Sequence, residues 1–114
     1  MMKIEVTELR EPGDARIALV GDLDEAGGKI ARRQLAGTIQ SGQINLMIDL
    51  DRVGILESSG LAALIATLRL ARNRGGDVRV QATTPHIRRV MELTGLSRVF
   101  RLATSDLSAI APAA

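Results

Sequence analysis

The sequence predicts an α/β fold with a mixed, largely parallel sheet. Short apolar segments alternate along the chain with longer segments whose apolar residues recur at the helical period. Strands that alternate with helices form such sheets, with the helices packed against them. The length of 114 residues is typical of one domain, and 46% of the residues are hydrophobic. We therefore expect a single domain over 1–114 with about four to five strands and about four helices, and a loose tail at about 112–114.

The N-terminal segment predicts a β-hairpin. Residues 4–9 and 16–20 are short apolar stretches suited to strands, and the Glu-Pro-Gly-Asp sequence at 11–14 predicts the turn between them. The Gly-Asp-Leu-Asp sequence at 21–24 is then expected to leave the sheet.

The next elements are a helix and a buried strand. Apolar residues at helical spacing predict a helix over roughly 25–41, and Gly27 and Gly28 predict an irregular first turn because glycine is a poor helix former. Residues 46–50 are almost continuously apolar, which is typical of a strand covered on both faces. Residues 51–54 then predict a loop.

A second helix is predicted to begin at Ser58 or Ser59. Its apolar stripe follows the i, i+3, i+4, i+7 spacing of a helix that buries one face. The glycine pair at 75–76 predicts its end. The later predicted elements are a strand at 78–82, a helix that starts at Thr84-Pro85 and stops at Gly95, an apolar pair at 99–100 that extends the sheet, and a final helix over about 106–111.

Composition and charge exclude several classes of function. The net charge is only +2, and the chain has one Phe and no Trp or Tyr, so we expect no nucleic-acid binding. The absence of cysteine excludes disulfides and thiolate metal sites and fits a reducing cytoplasm. No apolar run reaches the ~20 residues that span a bilayer. We expect a cytoplasmic protein without a membrane segment.

The charge is unevenly distributed along the chain. Residues 1–57 contain 10 acids and 7 bases, a net charge of −3, whereas residues 58–114 contain 3 acids and 8 bases, a net charge of +5. Such asymmetry can steer a charged partner, or it can be a solvated surface without consequence.

Motifs for catalysis, cofactors or metals are weak. The chain contains one histidine, His86, at a predicted helix start, where an exposed or capping role is sufficient. It lacks a phosphate-binding loop and a Gly-x-Ser-x-Gly elbow. Asp22, Asp24 and Glu25 are close in sequence but do not form a calcium-loop pattern. We expect no enzyme activity, cofactor or metal.

Two adjacent hydroxyl groups mark the start of the second predicted helix. Ser58 and Ser59 follow Glu57 and precede Gly60. A serine at a helix N-terminus is common because its side chain accepts a hydrogen bond from a free backbone N–H, which contributes about 1 kcal/mol. On local pattern alone, a capping role is sufficient.

The wider sequence resembles the STAS domains of anti-sigma factor antagonists. In that family a strand ends in Asp, a short loop follows, and Asp-Ser-(Ser/Thr/Ala)-Gly-Leu opens a helix, as in the segment 49–61. The other similar pieces, in the family's order, are Gly21-Asp22-Leu23-Asp24, Arg74-Gly75-Gly76, Pro85 to Val90, and Leu93-Thr94-Gly95-Leu96 with Val99-Phe100 behind it.

The resemblance implies partner switching. Ser58 aligns with the phosphoacceptor serine, and the implied partner-binding residues are Asp24, Glu57, Ser58, Ser59 and Gly60. The implied partners of this bacterial family are an anti-sigma factor that is also a serine kinase, and a PP2C-type phosphatase. One departure stands beside the phosphoacceptor, because Glu57 replaces the family's usual Asp. The alternatives are a non-phosphorylated STAS adaptor subunit of a transporter or signalling assembly and, more distantly, a small ligand-binding or enzymatic α/β domain.

Overall fold

The computed structural model describes residues 1–103, which contain five strands in one sheet and four helices. The sheet order is β1-β2-β3-β4-β5; β1 is antiparallel to β2, and all other neighbours are parallel. This architecture confirms the predicted α/β fold. The elements are β1 Lys3–Glu8, β2 Asp14–Leu23, α1 Glu25–Gln40, β3 Asn45–Leu56, α2 Ser58–Asn73, β4 Asp77–Gln81, α3 Pro85–Leu93, α4 Leu96–Val99 and β5 Arg101–Ala103.

The core is aliphatic and lies between the sheet and the helices. Burying one such side chain contributes about 1.5–3 kcal/mol, so a core without aromatic clusters is sufficient for a domain of this size. Phe100 is the one aromatic residue of the chain and is completely buried. Fully buried members of the core include Ile17, Leu19, Ile48 and Val80 from the strands and Leu35, Ile39, Leu64, Ile87 and Met91 from the helices.

Strands β2 and β3 are longer than the sequence predicts. The Gly-Asp-Leu-Asp segment at 21–24 stays in the sheet as far as Leu23, and the loop predicted at 51–54 is part of β3. The parallel ladder continues through two irregularities and pairs Leu23 with Leu56. Polar residues at 51 and 52 interrupt the apolar run, but the later side chains Val53 and Leu56 return to the core. The prediction of a loop was therefore wrong.

Helix α1 starts regularly at Glu25, so the predicted irregular first turn is also wrong. The Asp24 carboxylate accepts a hydrogen bond from the Gly27 N–H at 2.8 Å, and the Asp24 carbonyl accepts one from the Gly28 N–H at 2.8 Å. Both glycines are buried: Gly27 lies against the backbone of Asp22 in β2, and Gly28 lies where α1 crosses α2. A Cβ atom on Gly28 would lie 2.7 Å from the carbonyl carbon of Ser59. Gly28 therefore allows the close helix crossing, and Gly27 allows α1 to start against the end of β2.

The C-terminal elements also differ from the prediction. Residues 96–99 form the short helix α4, entered through Gly95 with a positive φ of 77°, and the last strand is two residues later than the predicted apolar pair at 99–100. Phe100 fills the core between them. The predicted helix over 106–111 and the loose tail at 112–114 lie outside the described residues.

Replacing Gly28 by alanine should destabilise the protein. The new methyl group would overlap the backbone of α2, and overpacking of this kind costs about 1–3 kcal/mol. Gly37→Ala in the same helix is the matched control, because no atom lies within 4 Å of its Cβ position. Alanine there should stabilise by about 0.5–1 kcal/mol through helix propensity. Urea unfolding of both variants checks this, and equal stability of Gly28→Ala and Gly37→Ala would contradict the close crossing.

Candidate functional site

Two helices begin side by side at one edge of the sheet. Strands β2 and β3 are parallel and end at Leu23 and Leu56, so α1 and α2 start at the same edge. The Ser59 hydroxyl donates a hydrogen bond to the Glu25 carbonyl at 3.3 Å, joining the first turns of the two helices. The backbone N–H of Glu57 donates to the carbonyl of Leu23 at 2.9 Å. The start of α2 is thereby fixed to both β2 and α1.

Ser58 is the first residue of α2, and its side chain is exposed. Glu57 precedes it in an extended conformation, with its carbonyl accepting the helical hydrogen bond from the Leu61 N–H at 3.0 Å. The Glu57 side chain makes no capping hydrogen bond to the first turn. The N-terminus of α2 therefore presents an exposed hydroxyl beside backbone N–H groups that the Glu57 side chain does not cap.

Ser59 and Gly60 lie deeper than Ser58. Ser59 is half-buried against α1, and Gly60 is buried. A Cβ atom on Gly60 would lie 2.6 Å from the Leu23 Cβ and 2.9 Å from the Leu23 carbonyl oxygen. Glycine is therefore required for α2 to approach the end of β2, and Gly60 shapes the site from beneath.

Asp24 belongs to a shallow acidic surface at the start of α1. Its carboxylate caps α1 through the Gly27 N–H, which is by itself a structural reason for an aspartate at this position. Glu25 forms an i, i+4 ion pair with Lys29 at 3.6 Å, and both side chains are largely exposed. Asp24, Glu25, Ala26, Lys29 and Glu57 line this surface. All five residues implied by the resemblance thus lie at the same edge of the sheet.

An exposed apolar residue at this edge was missed by the sequence reasoning. The Ile55 side chain is 46% exposed, two residues before Glu57. Val53 and Leu56 are both buried, and the register irregularity of β3 between them leaves Ile55 outside the core. The signal would have been visible had β3 been extended to Leu56 in the prediction. Ile55 adds exposed apolar surface near the end of β3, three residues before Ser58, that a partner protein can cover.

A second missed residue, Asp51, fixes the start of α3. Its carboxylate accepts hydrogen bonds from the Thr83 N–H at 2.7 Å and the Gln81 side-chain amide at 2.5 Å, and its carbonyl accepts one from the Thr84 hydroxyl at 3.4 Å. Burial raises the pKa of the Asp51 carboxyl, but the hydrogen bonds from Thr83 and Gln81 outweigh burial and hold this pKa below its ordinary value. Asp51 connects β3 to the loop that precedes α3.

Other ligand chemistry has little basis at this edge. Among residues 1–103, no group of three or more His, Asp or Glu side chains is arranged to hold a metal ion. His86 is exposed on α3. No helix in the same range has the length and apolarity needed to cross a membrane. The geometry favours a surface that contacts another protein.

Comparison with known proteins identifies the family. A family model described as the Mlab STAS domain matches residues 6–104, most of the chain. The chain belongs to the STAS domain family. An anti-sigma F factor antagonist from Paenibacillus polymyxa is 23% identical to this STAS domain over 96% of the chain and 94% of the relative's length.

Solved structures share this STAS fold. An anti-sigma factor antagonist from Mycobacterium paratuberculosis is 26% identical and has a TM-score of 0.83, covering 96% of this chain and 92% of that chain. The Bacillus cell fate determinant SpoIIAA in its phosphorylated form is 20% identical with a TM-score of 0.69, covering 95% and 96%. The second likeness shows the fold alone.

Replacing Asp51 by asparagine should destabilise the STAS domain in a pH-dependent way. Its lowered folded-state pKa means that the carboxylate stabilises above the ordinary pKa of about 3.8, and that this contribution is lost as pH falls through the lower folded value. At pH 7 we expect a loss of about 1–3 kcal/mol, because the amide group cannot accept both hydrogen bonds. Urea unfolding should show a difference from wild type that shrinks toward pH 3. Asp22→Asn, an exposed acid at the same edge, is the control, and equal effects of both variants would contradict the prediction.

Replacing Glu57 by aspartate should stabilise α2. Aspartate is one methylene shorter and can cap the first turn as Asp24 caps α1, which is worth about 1 kcal/mol. Glu57→Gln keeps the length of the side chain and removes its charge, so it should gain nothing. Thermal unfolding of the three proteins measures the difference. An Asp variant that melts with wild type would show that side-chain length does not limit capping here.

Proposed function

We propose that this STAS domain is an anti-sigma factor antagonist that is switched by phosphorylation of Ser58. The observation that carries the proposal is the exposed Ser58 hydroxyl at the start of α2, within a chain whose relatives are named anti-sigma factor antagonists. Unphosphorylated protein binds an anti-sigma factor that is also a serine kinase, which frees a sigma factor. Phosphorylation of Ser58 ends that complex, and a PP2C-type phosphatase reverses it.

The fold can accommodate a phosphate at Ser58. A phosphoserine at neutral pH carries about −1.5 to −2 charges, and a helix N-terminus favours an anion because of its dipole and free N–H groups. The Glu57 side chain leaves these N–H groups uncapped, so the phosphate does not displace an existing cap. SpoIIAA, which shares this fold, has a structure in phosphorylated form. Modification therefore acts on the surface without requiring the fold to change.

The interface responds differently from the fold. The carboxylates of Asp24, Glu25 and Glu57 already line the surface at the starts of α1 and α2. A phosphate on Ser58 increases the negative charge at this edge. Like-charge contacts at an interface cost several kcal/mol, whereas a hundredfold loss of affinity requires about 2.7 kcal/mol. A single phosphate is sufficient to release a partner whose binding face is matched to the unmodified edge.

The protein acts in this scheme by binding and supplies no catalytic group. The kinase provides the ATP site and the phosphatase provides the hydrolytic chemistry, so the STAS domain needs only a reachable hydroxyl and a surface of defined shape. Partner binding involves Asp24, Glu57, Ser58 and Ser59, with Gly60 holding α2 against β2. Such a scheme places the protein in the cytoplasm with the transcription machinery.

A second candidate function is a non-phosphorylated adaptor subunit of a transporter or signalling assembly. One observation favours it: Glu57 stands where the antagonists that the sequence resembles usually have Asp. In that role Ser58 is a surface residue at a helix start. The same edge of the sheet would contact the assembly permanently, and a kinase would have no part in it.

The Ser58 hypothesis predicts distinct behaviour for three variants. The anti-sigma factor kinase is first co-purified with the protein from the native cell. Incubation with this kinase and ATP should phosphorylate wild type and Ser59→Ala, and should leave Ser58→Ala unphosphorylated. Ser58→Asp should bind the kinase at least tenfold more weakly in a calorimetric titration, because it adds a negative charge at the interface. Its melting curve should stay close to that of wild type, since the new charge lies at a helix N-terminus.

The outcomes separate the candidates. Phosphate on Ser59 in the wild-type protein, or unchanged labelling of Ser58→Ala, would overturn the assignment of the phosphoacceptor. Equal binding by Ser58→Asp and wild type would contradict release by charge. A stable complex with a transporter subunit that is indifferent to Ser58→Ala and Ser58→Asp would support the adaptor.

A further inference from the structure

Helix α3 carries a second charged surface at the same edge of the sheet as Ser58. Strands β3 and β4 are parallel, and α3 follows the end of β4, where Asp51 fixes the preceding loop to β3. A groove on the exposed side of this helix is lined by Pro85, His86, Arg88, Arg89 and Glu92, which we call the α3 basic groove. It holds two guanidinium groups and one carboxylate. Its charge is therefore opposite to that of the surface at the start of α1.

Arg88 is the residue of the groove that has a buried donor without a hydrogen-bond partner among the described residues. Its side chain is partly exposed, but its Nε atom is buried and has no hydrogen-bond partner among the described residues. Glu92 lies one turn later on the helix, but the ion pairs of residues 1–103 do not include one between Arg88 and Glu92. A buried donor without an acceptor is unfavourable, more so for a charged group. A small rotation of Arg88 toward an external acceptor therefore relieves a deficit.

The chemistry of Arg88 and Arg89 selects the acceptor. A guanidinium group binds a carboxylate or a phosphate through two parallel N–H···O bonds, and the Nε–H with one terminal N–H forms one such pair. A nucleic-acid backbone fits this edge poorly, because Asp24, Glu25 and Glu57 lie at it, and the groove contains no Phe, Tyr or Trp side chain for base stacking. The fitting ligand is a carboxylate of another protein.

We propose that the α3 basic groove binds an acidic segment of the partner protein, with Arg88 and Arg89 pairing with its carboxylates. The proposal rests on the proposed function for the identity of that partner as the anti-sigma factor. Under this proposal the binding surface has opposite charges at its two ends, with acids at the start of α1 and arginines on α3. Ser58 lies at the start of α2, the helix between them in the sequence. Opposite charges at the two ends fix the orientation in which a complementary partner docks.

The groove can be tested without the partner. The probe is a hexaglutamate peptide, titrated into the ¹⁵N-labelled full-length protein while the arginine Nε–H resonances are followed by NMR. We expect the Arg88 signal to move saturably. Arg88→Lys, which keeps the charge and removes the bidentate geometry, should weaken peptide binding at least fivefold. Arg74→Lys is the matched control: Arg74 is exposed at the opposite end of α2, and its replacement should change affinity less than twofold.

Two results of this titration would contradict the assignment of the groove as a site for an acidic peptide. In the first, the Nε–H signals of Arg74 and Arg88 drift together without saturation, as general screening by an anion produces. In the second, a single-stranded oligonucleotide binds more tightly than the peptide and moves the same Arg88 signal, which assigns the surface to nucleic acid. Circular dichroism of each variant confirms that it is folded.

A second measurement uses the anti-sigma factor and separates this inference from the proposed function. Arg88→Lys combined with Arg89→Gln should reduce affinity for it at least tenfold and weaken the dependence of affinity on salt. If Ser58→Asp loses binding while the arginine variant binds as wild type does, the groove is not part of the interface and the inference fails. If wild type binds the peptide through Arg88 but does not bind the anti-sigma factor, the proposed function fails and the acidic ligand belongs to another protein.

Discussion

The close contact between α1 and α2 is the constraint on which the rest of the binding edge depends. Gly28 of α1 meets the backbone of Ser59, and Gly60 of α2 meets Leu23 at the end of β2. Neither contact leaves room for a Cβ atom. Because protein interiors are packed to crystal density, the helices cannot slide at these points without losing contacts. Ser58, the exposed residue directly before Ser59 and Gly60, is therefore held at a fixed place on the surface although no hydrogen bond from the described residues binds its side chain.

Hydrogen bonds extend this fixed edge to the third helix. Asp24 caps α1, the Glu57 N–H joins α2 to β2, and Asp51 holds the loop before α3. Each of these contacts holds the start of a helix in place, through its capping residue or through a neighbouring strand. A partner therefore meets a surface that is already formed, which lowers the entropic cost of association. A change of charge on such a surface alters affinity directly, without a refolding step.

The fold class followed from the sequence because hydrophobic periodicity is strong in its central elements. The apolar run of β3 and the apolar stripe of α2 predicted a strand and a helix, and the family resemblance predicted the residues of the site. The ends of β2 and β3 could not be predicted, because Asp51, Arg52 and Gly54 interrupt the apolar run and only the neighbouring strand shows that this segment is paired. The prediction of an irregular first turn at Gly27 and Gly28 was wrong for a related reason. Helix propensity describes an isolated helix, whereas Gly27 packs against the backbone of Asp22 and Gly28 packs against the backbone of Ser59.

The two helix starts show how small a difference in side-chain length changes the chemistry of this edge. Both have an acid followed three residues later by glycine: Asp24 before Gly27, and Glu57 before Gly60. Aspartate reaches the N–H of the third residue at 2.8 Å, and glutamate makes no such bond. The first turn of α1 is consequently completed by its own cap. The first turn of α2 keeps N–H groups for solvent or for a phosphate on Ser58, so the same departure that leaves the helix less stable also leaves its N-terminus ready to receive an anion.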